Sequence, residues 1–367
     1  MAALLRVATA GFALVVMTGC SSGSSSDDRS APTPAASSHA TQQPTSTVST
    51  TASSTPSPVT SPTTQGVDRL VVPPAAAALP ATWRERFVIG YGAGRELLGT
   101  SPGGDSGSLD IGPEYGAPGP DGSWWFLDAA KGRLAHYDGD GGFLEAVRIP
   151  RSMLVSGRYF QWQLPHVLAD GSLVAVRQDP PGAQLLRLRA GVLDEIPLPH
   201  LFAPTYDDGT LLYGFGGGRS VVVDPADGST RTSRRFRTPS GSSFSVVDEF
   251  DRGRLHCELP GGVTRDLPVR TMSGAPAHVG VQVRAGADDT LHLLLVGTGD
   301  DDESLQLVGY TRVGAEGSVA PVEALPNPFS EADPGSPAQL VMAPGSSTPM
   351  LVYVLPDGVH VYERTGD

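Results

Sequence analysis

Cysteine, lysine and long helical patterns are all scarce in this sequence. It contains two cysteines, Cys20 and Cys257, and a single lysine, Lys131. Acidic residues outnumber basic ones by 39 to 26, which gives a formal net charge of −13. A surface with this balance repels phosphate backbones, so we expect no nucleic acid partner. The eight histidines show no zinc-like spacing within one element, and we therefore expect no metal and no other cofactor.

The N-terminus, residues 1–19, has the pattern of a secretory signal peptide. It combines one arginine, an apolar run over residues 7–17 that is too short to cross a bilayer, and small residues at the end. The sequence Met17-Thr18-Gly19-Cys20 resembles a bacterial lipobox. The resemblance implies cleavage before Cys20, a diacylglycerol thioether on its sulfur and acylation of the new amino terminus. The alternative is an ordinary signal peptide followed by an incidental cysteine.

Residues 20–66 form a tract of Ser, Thr, Pro, Gln and Ala with almost no large apolar side chain. Such a tract cannot bury enough surface to offset its ordering entropy, so we predict a disordered tether. Lipidation of Cys20 would leave Cys257 without a partner, and no disulfide is expected. Together these features predict a protein held by its lipid on the extracytoplasmic face of the cell membrane.

Residues 67–367 contain a repeated unit of short apolar runs and turns, which predicts an all-β domain. The clearest copy covers residues 121–149 and reads as three strands joined by tight turns, one of them Asp-Gly. Similar units start at Asp121, Asp170, Asp208, Asp251, Asp289 and Ser346. Most spacings lie close to the roughly 40–50 residues of one four-stranded propeller blade. The last spacing is longer and requires insertions at residues 297–303 and 327–336.

The first of these units resembles an NHL-type β-propeller blade of bacterial extracytoplasmic proteins. It carries Asp121-Gly-Ser, then a strand ending in Leu127-Asp128, then Arg133-x-x-x-Tyr137-Asp138. The fold predicted from this resemblance and the repeat count is a β-propeller of six four-stranded blades. The C-terminal region offers only three strands, so we expect an N-terminal strand, Arg86–Gly90, to complete the last blade and close the ring.

Two groups of side chains are candidates for ligand binding. One segment leads into the second blade and alternates polar with apolar residues, and its side chains suit a sugar or a peptide: Arg158, Tyr159, Gln161 and Trp162. Three histidines precede a blade's first hairpin and should lie on or near an innermost strand: His166, His200 and His278. Separate, hydrogen-bonded strand histidines are the alternative for the second group.

Two patterns mimic known sites without meeting their requirements. Residues 87–94 resemble a dinucleotide fingerprint, but Gly99 and Pro102 prevent the helix that such a site needs, so we interpret them as an inter-blade loop. The acidic stretches 138–142 and 300–303 suggest calcium. The first lies where a hairpin turn is required, and the second is most simply a solvated charge run.

We expect a membrane-anchored binding or scaffold module of the cell envelope, with an unknown envelope protein or carbohydrate as partner. The alternative is an extracytoplasmic lyase or hydrolase with its site, and a metal, in the central channel, because propellers host both kinds of function. No Gly-x-Ser-x-Gly motif occurs in residues 67–367, and no catalytic triad can be assigned. A purely structural role in envelope assembly is a third possibility. The side chains that line the channel separate these cases.

Overall fold

The computed structural model describes residues 68–100, 116–150, 165–179, 182–216, 219–299, 306–327 and 338–365. In chain order the strands are β1 (Leu70–Val71), β2 (Trp83–Gly90), β3 (Gly116–Pro118), β4 (Trp124–Asp128), β5 (Arg133–Tyr137), β6 (Phe143–Arg148), β7 (His166–Val167), β8 (Leu173–Asp179), β9 (Gly182–Arg189), β10 (Val192–Leu198), β11 (Phe202–Asp207), β12 (Leu212–Gly216), β13 (Arg219–Val223), β14 (Thr230–Thr232), β15 (Phe236–Arg237), β16 (Ser243–Glu249), β17 (Arg254–Glu258), β18 (Thr264–Arg270), β19 (Ala277–Ala285), β20 (Leu291–Gly299), β21 (Gln306–Val313), β22 (Glu323–Ala324), β23 (Gln339–Val341), β24 (Met350–Leu355) and β25 (Gly358–Arg364).

These strands form six antiparallel sheets, the blades of a β-propeller, as predicted. Blades one to five each use four consecutive strands, which begin at β3, β7, β11, β15 and β19. Blade six has the order β2-β25-β24-β23. Blade four carries β1 as a fifth, parallel strand on its outer edge. No helix in the described part of the chain is long and apolar enough to cross a bilayer.

The predicted ring closure is confirmed by the pairing of β2 with β25. Phe87 lies opposite Val361 and Ile89 opposite Val359, so the outer strand of the last blade comes from the start of the domain. The register shifts between Glu85 and Phe87, which is a β-bulge. The residue inside it, Arg86, donates from Nε to the carbonyl of Gly139 in blade one at 3.0 Å. The closing strand therefore also links blade six to blade one.

The segment before β2 is hydrogen-bonded to two further blades, and the sequence analysis did not predict these contacts. Leu70 lies opposite Val269 at the edge of blade four. The backbone N–H groups of Ala75 and Ala76 then donate to the carbonyls of Gln306 and Leu325 in blade five, each at 2.9 Å. Residues 70–90 thus run across the outer edges of blades four and five and enter blade six.

The hairpins between the first and second strands follow the predicted Asp-Gly pattern in blades one to three. Oδ1 of Asp121, Asp170 and Asp208 accepts the backbone N–H two residues further on, at 2.9–3.0 Å. The glycine after each aspartate has a φ between 78° and 85°, which other residues seldom adopt. The aspartate and the glycine together form the turn.

Blade four departs from the predicted repeat. The sequence pattern places Asp251 in the same position as Asp208, but Asp251 lies in the 3₁₀ turn between β16 and β17. The equivalent hairpin in blade four is closed by the N–H of Thr238, which donates to the carbonyl of Ser242 at 2.8 Å. The predicted register is wrong for this blade because a Pro-Ser-Gly turn replaces the Asp-Gly signal there.

Candidate functional site in the central channel

First strands of different blades contact one another, among them β3 with β7, β11 with β19 and β19 with β23, and a small cavity lies among the first strands. Its lining comes from five blades and consists of Gly116, Ala117, Pro118, Pro165, His166, Val167, Asp207, Arg284, Gln339, Val341 and Met342. Its volume, counted as the space that the centre of a water molecule can occupy, is about 20 Å³. That is enough for about one water molecule or a small polar group. Larger ligands would have to extend along the channel.

Blade four does not line this cavity, because its first strand, β15, has only two residues. The neighbouring blades three and five meet across it. Nη1 of Arg284, near the end of β19, donates to the carbonyl of Thr205 on β11 at 2.7 Å and to that of Val283 at 2.8 Å. The short strand of blade four therefore brings the guanidinium of Arg284 beside Asp207, the last residue of β11.

His166 and Asp207 form a hydrogen-bonded pair in this cavity. Nδ1 of His166 lies 2.6 Å from Oδ2 of Asp207, and His166 is 3% exposed. Burial raises the pKa of Asp207, but the hydrogen bond from His166, the charge of Arg284 and the N–H of Gly209 together hold it below its usual value. An ionised carboxylate can only accept hydrogen bonds. Nδ1 of His166 therefore carries a hydrogen and donates a hydrogen bond to Asp207.

Several polar atoms of the cavity have no hydrogen-bond partner among the described residues. Nε2 of His166 is buried and has none. Arg284 is 7% exposed, and its Nη1 is the only nitrogen that finds an acceptor in the described chain. Burial lowers the pKa of Arg284 while Asp207 and Tyr206 oppose the shift, and a guanidinium stays charged under all such conditions. Gln339 accepts from the N–H of Gly116 through Oε1 at 3.1 Å, which leaves its amide nitrogen uncommitted within the described residues.

The structure places one of the three predicted histidines in the cavity and separates the others from it. His278 lies near the start of β19, donates from Nδ1 to the carbonyl of Phe250 at 2.8 Å and packs on that residue's ring. Six residues separate it from Arg284, which is roughly 20 Å along a strand. His200 is exposed in the loop between β10 and β11. Five predicted site residues lie outside the described residues: Cys20, Arg158, Tyr159, Gln161 and Trp162.

Sequence reasoning missed three residues of the cavity: Asp207, Arg284 and Gln339. Arg284 gave a weak signal, since it alternates with apolar residues along β19 in the same register as His278 and Gln282. Asp207 is directly followed by Asp208, which caps the turn, and nothing in the sequence distinguishes their roles. Among the described residues, no group of three or more His, Cys, Asp or Glu side chains could hold a metal ion.

Residues 87–94, which resemble a dinucleotide fingerprint, are the end of β2 in blade six followed by the start of a loop. Its carbonyl oxygens accept hydrogen bonds from cationic side chains. Nζ of Lys131 donates to the carbonyls of Gly94 and Leu97 at 2.6 and 2.7 Å, and Arg133 donates to the carbonyl of Arg95 at 2.6 Å. A phosphate site needs N–H groups facing the ligand, so these contacts fit a loop held between blades.

Comparison with protein families places the chain in a known group. Residues 81–364 match the model of the family described as "Domain of unknown function (DUF7485)". The chain belongs to this family. The matched range runs from the start of the ring-closing strand to the end of β25. No curated protein matches the sequence.

Solved structures with a similar arrangement of strands have low sequence identity. Inactive virginiamycin B lyase from Staphylococcus aureus is 12% identical, with 72% of this chain and 98% of that chain covered and a TM-score of 0.40. Regucalcin from Agrobacterium tumefaciens is also 12% identical, with 81% and 97% covered and a TM-score of 0.40. Hydrazine synthase from Kuenenia stuttgartiensis is 12% identical, with 69% and 80% covered and a TM-score of 0.44.

Proposed function

We propose that this protein is a lipid-anchored, extracytoplasmic binding module whose ligand enters the central channel and contacts His166 and Arg284. The observation that carries the proposal is Nε2 of His166, a buried atom of the cavity with no hydrogen-bond partner in the described part of the chain, beside the guanidinium of Arg284. A buried donor or acceptor that makes no hydrogen bond costs about 1–3 kcal/mol. A ligand that bonds to such a group recovers that cost.

The anchor proposed for this module is the lipid on Cys20, followed by the Ser/Thr/Pro-rich tether. The tether proposed between Cys20 and the domain has 46 residues, from 21 to 66; a flexible linker of that length spans roughly 40 Å, and more than one acyl chain gives stable attachment. A Cys20→Ser variant tests the anchor separately from the site. We expect it to be released from membranes with a folded propeller, and a variant that stays in the membrane fraction would contradict the lipid anchor.

The size of the cavity limits what part of a ligand it can hold. The cavity of about 20 Å³ has room for one small polar group of a ligand. We propose that the ligand is an envelope carbohydrate or protein, one small polar group of which enters the channel while the remainder lies outside the cavity. The proposed partner is thus of the class expected from the sequence, and only one of its groups contacts the cavity.

Retention of an envelope molecule by the full chain tests the binding function. The wild-type protein is incubated with low-molecular-weight and peptide fractions of the envelope, and retained molecules are identified by native mass spectrometry. We expect wild type to retain a ligand and His166→Ala to lose it. His200→Ala is the matched control, because His200 is exposed and outside the cavity. Equal retention by both variants, or none by wild type, would refute the proposal.

A second candidate function rests on the His166–Asp207 pair itself. A carboxylate that holds Nδ1 and leaves Nε2 free in a cavity is also the arrangement of a general base. An extracytoplasmic lyase or hydrolase would use His166 in this role. The two functions are separated by the fate of the retained molecule: an enzyme converts it with wild type but not with His166→Ala, whereas a binding module returns it unchanged.

A further inference from the structure

We infer that the channel cavity accepts a carboxylate group, and that its binding is accompanied by uptake of one proton on Nε2 of His166. This inference deepens the proposed binding function and rests on it. It follows from which polar atoms of the cavity are already bonded, and from the charges that face His166.

The side-chain acceptors of the cavity already accept hydrogen bonds, and most of the side-chain groups without a hydrogen-bond partner are donors. Both oxygens of Asp207 are engaged, Oδ2 by His166 and Oδ1 by the N–H of Gly209 at 3.0 Å. The uncommitted groups are Nε and Nη2 of Arg284, the amide nitrogen of Gln339 and Nε2 of His166. Donors of this kind bind an anion, and the planar fork of a guanidinium matches the two oxygens of a carboxylate.

The charges around His166 explain why a proton accompanies the ligand. Asp207 on β11 and Arg284 on β19 are the charged groups that line the cavity with it, and they are of opposite sign. The other lining residues, from β3, β7, β23 and their flanks, carry no titratable side chain. A carboxylate adds one negative charge to this balanced pair. A neutral His166 presents a lone pair at Nε2, which repels it, whereas the protonated ring donates a hydrogen bond and restores charge balance.

The burial of these groups makes the coupling strong enough to measure. His166 and Arg284 are 3% and 7% exposed and Gln339 is 3% exposed, so little water screens the ligand from them. Charged groups interact much more strongly in such surroundings than at a surface. A carboxylate head group is a small polar group of the kind that the cavity has room for.

Calorimetric titration of the full-length protein in detergent with sodium acetate tests this inference. Acetate stays ionised from pH 6 to 8, and the proton count follows from buffers of different ionisation enthalpy. We expect the affinity to fall with rising pH, by up to about tenfold per pH unit for one linked proton. We expect acetamide, which has the same shape without charge, to bind at least tenfold more weakly than acetate at pH 6.

Two variants separate the linked proton from general damage to the fold. His166→Asn retains an amide N–H that can donate to Asp207 and removes Nε2, so acetate binding should lose its pH dependence. His256→Asn is the matched control, since His256 makes the same kind of pair with Asp266 at 2.8 Å on the exposed surface of blade four. It should retain the pH dependence of wild type.

The outcomes distinguish this inference from the proposed function. Acetate binding without pH dependence, or equal binding of acetamide, would overturn the inference. Binding of inorganic phosphate in place of acetate would overturn the carboxylate assignment. If acetate fails to bind at any pH while wild type still retains an envelope molecule in a His166-dependent manner, the inference falls and the binding function stands.

Discussion

His360 of β25 and Glu85 of β2 join the two ends of the propeller, with Nδ1 of His360 3.0 Å from Oε2 of Glu85. The other ring nitrogen, Nε2, lies 3.0 Å from Oδ1 of Asp357, and Tyr362 donates to Glu85 at 3.2 Å and stacks with the imidazole. Each ring nitrogen of His360 therefore faces a carboxylate oxygen that can accept a hydrogen bond. The ring of blades is thus closed by backbone pairing and by one histidine between carboxylates.

We expect His360→Phe to loosen this closure, because the substitution removes both hydrogen bonds and keeps a planar ring beside Tyr362. The loss should be about 1 kcal/mol, since the carboxylate partners are half exposed or more. Hydrogen exchange at the amides of β2 and β25 measures it. His256→Phe removes a similar pair inside blade four and should leave exchange in β2 unchanged. Equal exchange in β2 for both variants would contradict this role.

The segment that precedes β2 offers a second test, because it is buried against a blade to which it is not adjacent in sequence. Leu70 is 0% exposed and belongs to the same apolar cluster as Val269 and Leu267. Leu70→Ala should lower the free energy of unfolding by about 2–4 kcal/mol, the usual cost of removing a buried leucine side chain. Urea unfolding followed by tryptophan fluorescence measures the change.

The control for Leu70 is Val88, an apolar residue on the outer strand of blade six that is 40% exposed. Val88→Ala should change the stability by less than about 0.5 kcal/mol, as expected for a surface site. A Leu70→Ala protein as stable as Val88→Ala would mean that β1 does not pack on blade four.

These elements show how much of the fold the sequence predicts. The blade count and the closing strand follow from local signals, because Asp-Gly turns and apolar alternation act within a few residues. The three strands predicted in the C-terminal region are also present, as β23, β24 and β25. The predicted register of blade four is wrong because the turn after Phe236–Arg237 has no aspartate. The strand β1 was not predicted, because two residues in parallel pairing leave no periodic pattern.

The cavity could be predicted only in part. His166 was recognised from its place before a hairpin, whereas Asp207 and Arg284 were not. The three residues are separated by 41 and 77 positions in the chain, and only the closure of the ring brings them together. Because β15 has only two residues, Arg284 of blade five reaches blade three. The shortness of that strand is a consequence of packing that a single sequence does not reveal.

The buried thiol of Cys257 gives a third prediction. It lies on β17 with 0% exposure, and burial, with a smaller contribution from Asp266, raises its pKa to about 12. A thiol is reactive only as the thiolate, so the native Cys20→Ser protein should not react with a thiol reagent at pH 8. The same protein should incorporate one label in urea. Rapid labelling of the native protein would contradict the position of β17.

His292 predicts a loss of stability in mild acid. It lies on β20 and is 3% exposed. Its Nδ1 lies 2.7 Å from the hydroxyl oxygen of Tyr310, and the two atoms share a hydrogen bond. Its Nε2 is buried with no partner among the described residues. Burial, with smaller contributions from Arg312 and Arg364, outweighs the charge of Asp288 and lowers the pKa of His292 to about 4, from 6.5.

The direction of the effect follows from these two pKa values. Between pH 6.5 and pH 4 the unfolded chain binds a proton at His292 that the folded chain does not, so acid favours unfolding in this window. The loss of stability should begin as the pH falls through 6.5 and reach at most about 3 kcal/mol near pH 4, at 1.36 kcal/mol per pH unit.

His292→Leu should remove this loss of stability from urea unfolding curves at pH 4.5 and 7, even though it also loses the hydrogen bond to Tyr310. His200→Leu, at an exposed position, should keep the acid dependence of wild type. An unchanged difference between the two pH values in His292→Leu would show that other groups cause the acid sensitivity.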